Sequence, residues 1–222
     1  MAKTILTPKQ HQFLELASKD KQITKLFYLT GGTALAEFHL HHRLSEDLDF
    51  FTYESEVEPN TVEAFLQKIS PQLGVKKILR KQFLGLFSFT LAFKNNSKLK
   101  VDFNYYPFLR IDKGIKHNLL EIDSIYDIAA NKMHTIFMKP RGRDYIDLFF
   151  ILKKHTLDIN KLIINAKIKF DWDIDRVTLA SQFIRVKDFQ DFPKILIPFE
   201  KKEMESFFLK EAKKLEKDIF KN

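Results

Sequence analysis

The stretch Tyr28–Phe51, with the sequence YLTGGTALAEFHLHHRLSEDLDFF, holds the pattern that decides the fold. Its apolar start runs into the pair Gly31 and Gly32, and a segment of helical composition follows. The stretch ends in a strand pattern that carries Asp47 and Asp49, one residue apart. Because side chains alternate across a strand, both carboxylates face the same side, about 7 Å apart at ~3.3 Å per residue.

Two carboxylates on one face repel each other, so this pattern needs an explanation. Either the face is open to water, as on a solvated edge strand, or a cation lies between the acids. Mg²⁺ is such a cation, since it prefers oxygen ligands and takes one or two carboxylates together with substrate phosphates. The glycine pair favours the cation, because glycine lets the backbone approach a ligand closely and a helix N-terminus offers N–H groups to phosphate.

A third acid, Asp102, lies in the predicted strand KLKVDFNYY. Lys100, Asp102 and Asn104 form one face of this strand, and apolar residues form the other. If the strand pairs beside the one that carries Asp47 and Asp49, the three carboxylates face the same side. Three carboxylates around divalent metal ions are typical of phosphoryl and nucleotidyl transfer.

The first half of the chain has a mixed pattern of helices and strands. One helix is predicted over 7–27 with Thr7 as its N-cap, and another begins after Pro59. Two further strands, at 83–93 and 98–106, are separated by the polar turn KNNSK and therefore predict a hairpin.

The second half is mostly helical from about Leu119 onward. Helices are predicted near 124–138, 143–154, 159–169, 173–186 and 200–220. This segregation predicts an α+β fold, with a mixed α/β core at residues 1–118 and a helical region at 119–222 that packs on the core.

Composition and charge narrow the class of protein. The absence of cysteine excludes disulfides and thiolate chemistry and fits a reducing cytoplasm. No run approaches the ~20 apolar residues that a membrane-spanning helix needs, so we expect no membrane partner. The formal charge of +8 favours a polyanionic partner such as nucleic acid. Lysines spread evenly over a soluble protein give the same charge, and this alternative stays open.

Three blocks of sequence together resemble a known family. They are GGTAL at 31–35, RLSEDLDFF at 43–51 and NKMHTIFMKPRGRDYIDLFFIL at 131–152. In this order and spacing they resemble the AbiEii/AbiGii-type toxins, a nucleotidyltransferase family of the DNA polymerase β-like superfamily. The resemblance implies a polymerase β-like core with a mixed sheet, followed by a helical C-terminal half. It also implies transfer of a nucleoside monophosphate from an NTP with Mg²⁺, or Mn²⁺ in its place.

The same resemblance implies roles for individual residues. It makes metal ligands and catalytic acids of Asp47, Asp49 and Asp102, and it makes Asp147 the catalytic acid of the final motif. The nucleotide-binding residues that it implies are Gly31, Gly32, Thr33 and Lys132. The candidate phosphate or RNA contacts are Arg43, Arg141 and Arg143. Many members of the superfamily have serine at the position of Gly32, so Thr33 is the expected substitute for its hydroxyl. Without the resemblance, the residues favour a solvated surface lysine for Lys132, and an ion pair with Arg143 is an alternative for Asp147.

The leading function is therefore a Mg²⁺-dependent nucleotidyltransferase toxin of a toxin–antitoxin or abortive-infection system. Its expected partners are an NTP, an acceptor such as a tRNA 3′ end or another RNA, and a cognate antitoxin protein. Alternatives are AMP transfer to a protein hydroxyl, a catalytically silent nucleotide- or RNA-binding module, and a metal phosphohydrolase. A zinc site at His39 and His42 is weaker than a solvated helix end, because no third ligand follows at a recognisable spacing.

Overall fold

The structure, a computed structural model, describes the backbone of residues 4–219 and the side chains of residues 4–216. In chain order the elements are α1 Pro8–Ala17, α2 Lys21–Leu26, β1 Tyr28–Thr30, α3 Gly31–Leu35 with a π-helical turn Ala36–Leu40, β2 Leu48–Thr52, α4 Pro59–Leu73, β3 Val75–Phe83, β4 Leu86–Phe93, β5 Lys98–Tyr105, β6 Ile115–His117, β7 Leu120–Ile122, α5 Ile125–Met138, α6 Gly142–Lys154, α7 Ile159–Phe170, α8 Arg176–Ile184 with a 3₁₀ turn Arg185–Asp188, and α9 Lys201–Ile219.

Two compact units divide the chain. The first comprises the described residues up to Leu109 together with Lys113–Ser124, and it contains all the strands named above. The second comprises Arg110–Asp112 and the described residues from Ile125 onward, which form α5 to α9. The fold is thus α+β, as the segregation of the patterns predicts.

The strands form one mixed sheet in the order β3-β4-β5-β2-β1-β7-β6 within the described residues. Strand β2 is parallel to β5, and β1 is parallel to β7, while the other neighbours are antiparallel. The predicted hairpin is confirmed as β4 and β5, and Asn96 turns the chain between them at a φ of 63°. Strands that are distant in sequence therefore meet at the centre of the sheet.

Phenylalanine fills one face of this sheet. The rings of Phe50 and Phe103 stack at 5.1 Å, and Phe13 of α1 lies 6.0 Å from Phe50. Phe65 of α4 packs edge-on against Phe13 at 5.9 Å, so both helices cover the same face. Burial of such rings is the main stabilising contribution to the unit, since each removes roughly 150–250 Å² from water.

The first predicted helix is divided into two. Thr7 caps α1 as predicted, in a capping box with Gln10. The break follows from Asp20, whose carboxylate accepts hydrogen bonds from the backbone N–H groups of Gln22 and Ile23 and so starts α2.

Three strands were not predicted. Strand β3 is exposed along most of its length, so it lacks the apolar alternation that identifies a half-buried strand. The predicted strand at 83–93 is shorter, because Phe83 still belongs to β3 and the chain turns at Leu84. Strands β6 and β7 are three residues each, and β7 lies beyond Leu119, where we expected helices. The assignment of domains to 1–118 and 119–222 stays a prediction, whereas the compact units divide after Ser124.

The second unit is an assembly of helices around aromatic side chains. Tyr145 and Phe183 each lie 5.2 Å from the ring of Phe208 on α9. Within the part of the chain that the structure describes, no helix has the length and apolar character needed to cross a membrane.

Candidate active site

The glycine pair follows β1 directly and begins α3. Gly31 has a φ of +74°, a conformation that favours glycine. A Cβ at this position would overlap the Oδ2 atom of Asp49, which lies on the neighbouring strand. Gly31 is therefore required both by its backbone conformation and by the close approach of the Asp49 carboxylate.

Arg43 packs against Gly32 as Asp49 packs against Gly31. A Cβ on Gly32 would lie 2.5 Å from Nη2 of Arg43 and 3.1 Å from Oγ of Ser45. The Arg43 side chain is buried, and its Nη1 donates to the carbonyl oxygen of Leu44 at 2.9 Å. The glycine pair thus makes room for an acid and a guanidinium at the start of one helix.

Thr33 makes a hydrogen bond within the protein interior. Its side chain is fully buried, and its hydroxyl donates a hydrogen bond to the backbone carbonyl of Asp47. The hydroxyl therefore holds in place the segment that delivers Asp47 to the sheet.

The D-x-D segment has the two faces that alternation predicts. Leu48 and Phe50 are fully buried, while Asp47 and Asp49 are half-buried and project to the opposite side. Asp47 lies just before β2 and not within it, because the strand begins at Leu48.

The sheet also brings Asp102 to this position. In the parallel pair of β2 and β5, Asp49 lies directly opposite Asp102. Asp102 is buried, and its Oδ1 atom has no hydrogen-bond partner. A buried acceptor oxygen without a partner is costly, so this atom is suited to a ligand that supplies positive charge or a donor.

Lys100 bridges two of the three acids. Its Nζ lies 2.6 Å from Oδ2 of Asp102 and 3.2 Å from Oδ2 of Asp47. Burial lowers the pKa of Lys100, but the hydrogen bonds and charges of Asp102 and Asp47 outweigh this effect and leave the pKa above its ordinary value. The sequence placed Lys100 on this face without giving it a role. The signal was its spacing, two residues before Asp102 on one strand.

A divalent cation fits this chemistry only in part. Among the side chains that the structure describes, no three His, Cys, Asp or Glu residues are arranged to hold a metal ion. An ammonium group lies between Asp47 and Asp102, where a shared cation would lie. The hard oxygen donors and the unpaired oxygen of Asp102 do suit Mg²⁺ or Mn²⁺. The assignment of Asp47, Asp49 and Asp102 as ligands remains a prediction.

Asp123 supports the glycine turn, and sequence analysis missed it. This buried acid accepts a hydrogen bond from Oγ1 of Thr30 at 2.6 Å, and its N–H donates to the carbonyl of Leu29 at 2.8 Å. Its own carbonyl lies 2.9 Å from Nε2 of His39. The short stretch EIDS gave no strand pattern, so nothing in the sequence indicated that Asp123 meets the end of β1.

The histidines do not form the solvated helix end that we expected. The helical turn ends at Leu40 because His41 adopts a left-handed φ of 54°. His42 is fully buried. The prediction of a solvated end was wrong because it assumed that the helix continued through His42.

A second cluster of charges lies within the helical unit. Nζ of Lys132 on α5 lies 2.8 Å from Oδ1 of Asp144 and 2.7 Å from Oδ2 of Asp147, both on α6. The lysine side chain is 9% exposed and both acids are fully buried. Lys132 is therefore not a solvated surface lysine. Asp147 pairs with Lys132 instead of Arg143, which is exposed.

Arg141 completes this second cluster. Its backbone N–H and its Nε both donate to Oδ2 of Asp144, at 3.1 and 3.0 Å. Burial raises the pKa of Asp144, but the charge of Lys132 and the hydrogen bond and charge of Arg141 outweigh it, so the pKa lies below the ordinary value. Asp144 is more than a first-turn acid, because it joins two helices through Lys132.

The family model described as nucleotidyl transferase AbiEii toxin, type IV toxin–antitoxin system, matches residues 16–218. The chain belongs to the AbiEii toxin family. The predicted family and the enzyme class are thereby confirmed, and this AbiEii protein is a nucleotidyltransferase. The match extends to residue 218, well beyond the three blocks that carried the resemblance.

This AbiEii protein is similar to a curated relative in sequence and to solved structures in fold. An uncharacterized protein of Aquifex aeolicus is 30% identical over 189 residues, which cover 84% of this chain and 86% of that protein. A putative nucleotidyltransferase of Helicobacter pylori has a TM-score of 0.59 at 16% identity, covering 96% of this chain and 97% of its own. MenT4, a nucleotidyltransferase toxin of Mycobacterium tuberculosis, has a TM-score of 0.51 at 14% identity, and the match covers 93% of this chain and 81% of MenT4. The predicted nucleotidyltransferase fold is confirmed over nearly the whole chain.

Proposed function

We propose that the protein transfers a nucleoside monophosphate from an NTP to a hydroxyl group of an RNA acceptor, such as a tRNA 3′ end. In this proposal it acts as the toxin of a toxin–antitoxin or abortive-infection system, with a cognate antitoxin as its partner. The observation that carries the proposal is the pairing of Asp49 with Asp102 on one face of the sheet, against Gly31.

The residues around Gly31 have complementary tasks. The backbone N–H groups of Gly31, Gly32 and Thr33 lack partners within their helix and bind phosphate oxygens. Asp47, Asp49 and Asp102 would hold Mg²⁺ or Mn²⁺, which when bound stabilises charge on the phosphates. Arg43, which lies against Gly32, adds fixed positive charge to the same end of the helix.

The transfer itself is a displacement at phosphorus. The oxygen of the acceptor hydroxyl forms a bond to the α-phosphorus, and the bond from this phosphorus to the bridging oxygen of the β-phosphate breaks. Pyrophosphate leaves with the electron pair of that bond. The hydroxyl proton passes to a solvent water molecule, so that the Asp102 carboxylate stays ionised to hold the cation.

The remaining residues with an assigned role belong to the helical unit. Lys132 provides a point charge for the triphosphate, as the resemblance implies. Asp147 acts as a positioning residue, since its carboxylate fixes the ammonium group at 2.7 Å. Arg141 and Arg143 are exposed and serve as further phosphate or RNA contacts in this proposal.

An RNA acceptor is favoured over a protein acceptor by charge. The formal net charge of +8 attracts a polyanion and raises its rate of association. A protein acceptor has no such requirement. A catalytically silent module would have no need for an acid held directly against a glycine at the start of a helix.

The test is a labelling experiment. The protein is incubated with Mg²⁺, each of the four α-labelled NTPs, and either total tRNA or lysate proteins. We expect label on tRNA, and a loss of roughly 10³-fold in Asp49→Asn, because one of the groups that stabilise the transition state is removed. Glu46→Gln is the matched control, since it removes the same charge from an exposed residue of the same segment.

Each other outcome points to a different function. Label on proteins alone would replace the RNA acceptor by protein nucleotidylation. Release of free phosphate without any adduct would indicate a phosphohydrolase. Binding of an NTP without transfer to either acceptor would indicate a silent module.

A further inference from the structure

One row of directly paired residues runs from the candidate active site to the edge of the sheet. Asp49 on β2 lies opposite Asp102 on β5, Asp102 opposite Ser88 on β4, and Ser88 opposite Lys81 on β3. Residues that are directly opposite in neighbouring strands point to the same face. Lys81 therefore lies on the face that carries the carboxylates, three strands or about 14 Å from Asp49 at ~4.8 Å per strand.

A parallel row ends in another lysine. Lys98 of β5 lies opposite Ala92 of β4, which lies opposite Lys77 of β3. Lys77, Lys81 and Lys98 are all exposed. The carboxylate face thus continues outward into a set of exposed ammonium groups.

The other face of β3 is directed toward α4. Ile78 and Arg80 line a cavity together with Leu66 of α4, and Nη1 of Arg80 pairs with Glu63 of the same helix at 2.6 Å. This contact confirms the alternation along β3. Lys77 and Lys81 point away from the helix, and Arg80 points toward it.

Large apolar side chains accompany the lysines. Leu79 and Phe83 lie on the same face as Lys77 and Lys81, and their side chains are 44% and 73% exposed. Leu84, in the turn that follows, is 82% exposed. Exposed aromatic rings between lysines are typical of surfaces that bind single-stranded nucleic acid, where bases stack on rings and ammonium groups contact phosphates.

We propose that this face of the β3–β4 hairpin binds the single-stranded end of the RNA acceptor. Lys77 and Lys81 contact its phosphates, Phe83 stacks on a base, and the strand leads to Asp49 and Asp102. The inference rests on the proposed function and adds to it the surface that selects a nucleic acid.

A second copy of the chain is the competing occupant of an exposed edge strand. The sequence of β3 opposes it, because VKKILRKQF carries four cations and no acid. Two such strands paired edge to edge would place like charges opposite each other, which is destabilising. The same four cations would instead attract a polyanion such as RNA.

The test measures RNA binding without chemistry. A labelled single-stranded RNA of about 12 nucleotides is titrated with Asp49→Asn protein, without NTP or divalent ions, and anisotropy gives Kd. We expect Lys77→Glu with Lys81→Glu to weaken binding at least tenfold. Lys25→Glu with Lys116→Glu makes the same change of charge away from the hairpin and is expected to alter Kd less than twofold.

Two further variants identify the kind of contact. Lys77→Gln with Lys81→Gln should reduce the slope of log K against log salt by about 1.4, at ~0.7 per phosphate contact on a single strand. Phe83→Ala should weaken binding about fivefold or more, the loss expected from one stacked base.

The inference fails if the Lys77→Glu/Lys81→Glu protein binds RNA as the control does, or if the parent protein binds no RNA. It also fails if sedimentation shows a dimer that these changes dissociate while RNA affinity stays constant. The proposed function fails separately: RNA binding that depends on the hairpin, without label transfer by the wild-type protein, would leave the surface and remove the activity.

Discussion

Two clusters in this protein have the same parts, a lysine between two aspartates, but lie in different surroundings. In the helical unit, Lys132 lies between Asp144 and Asp147, and the acids are fully buried. On the sheet, Lys100 lies between Asp47 and Asp102 with 42% of its side chain exposed.

The balance of charge also differs. Arg141 joins Lys132 in the helical cluster, so two cations face two acids. On the sheet, Asp49 stands beside Asp102 and adds a third carboxylate to the face that Lys100 shares. A fully buried cluster is thus held closed by its own ion pairs, whereas the partly exposed cluster on the sheet leaves one carboxylate oxygen, Oδ1 of Asp102, for a ligand.

The largest effect is expected from removing the buried lysine. Lys132→Met removes from the interior the cation that both Asp144 and Asp147 contact, which costs about 3–5 kcal/mol of unfolding free energy. Lys100→Met, the same change on the sheet, should cost less, because Asp47 stays in contact with water and only Asp102 is buried. Urea unfolding of both variants measures the difference.

Equal losses in both variants would remove the distinction between the clusters. NTP affinity of the folded Lys132→Met protein, measured at low temperature, separates the proposed triphosphate contact from the structural one. Unchanged affinity would leave Lys132 as a residue for stability alone.

The next largest effect is expected from replacing Gly31, which should reduce nucleotidyl transfer. Gly31→Ala strains a φ of +74° and pushes a methyl group into the Asp49 carboxylate, so nucleotidyl transfer should fall roughly 10²-fold, as for a reacting group displaced by about 1 Å. Gly74→Ala is the matched control, because its φ is +70° and a Cβ there meets nothing. Both lose about 1 kcal/mol of stability from backbone strain, and transfer by Gly74→Ala stays normal. An equally inactive control would mean that strain alone, without Asp49, explains the loss.

Metal affinity tests whether Lys100 competes with a cation for the carboxylates on the sheet. In Lys100→Met the ammonium no longer competes for Asp47 and Asp102, so Mn²⁺ should bind about fivefold more tightly, equivalent to ~1 kcal/mol. Titration followed by electron paramagnetic resonance, without NTP, measures this directly. Lys98→Met is the control, since Lys98 is exposed and two residues away along the same strand. Weaker binding in Lys100→Met would show instead that the lysine holds the carboxylates in a binding arrangement.

The smallest expected effect is the pH dependence of the unfolding free energy that Asp144 contributes. Asp144 has a pKa below its ordinary value in the folded state, so its stabilising contribution is complete above the ordinary value of 3.8 and is lost as the pH falls through the lower folded pKa. Asp144→Asn removes this contribution, and the slope of unfolding free energy against pH below 3.8 should decrease by at most about 1.4 kcal/mol per pH unit. Urea unfolding between pH 3 and 5 measures it, and identical slopes would mean that another acid controls this range.

Much of the site could be predicted because its signals are local. Alternation placed Asp47 and Asp49 on one face, and the spacing of Asp144 and Asp147 placed them on one side of a helix. The glycine pair was singled out by its place between a strand and a helix. Its physical reason is an acid and a guanidinium packed against the two glycines, which no local pattern contains.

Other features depend on partners far away in sequence. Strand β3 was missed because apolar and polar residues do not alternate along it, and Asp123 because its contacts lie on β1 and the helix that follows. The ion pairs of Lys132 required the packing of α5 on α6, so its burial could not be read from its neighbours in the chain.

The sequence by itself determined the family, the α+β class and the face on which the D-x-D acids lie, because each follows from motifs or periodicity within a few residues. Only the tertiary structure decided that Asp102 stands opposite Asp49, that Lys100 bridges Asp47 and Asp102, and that Lys81 lies in the same row at the edge. The physical reason is that strand order and register arise from the burial of whole faces, which sums over many distant residues and leaves no signature at any one of them.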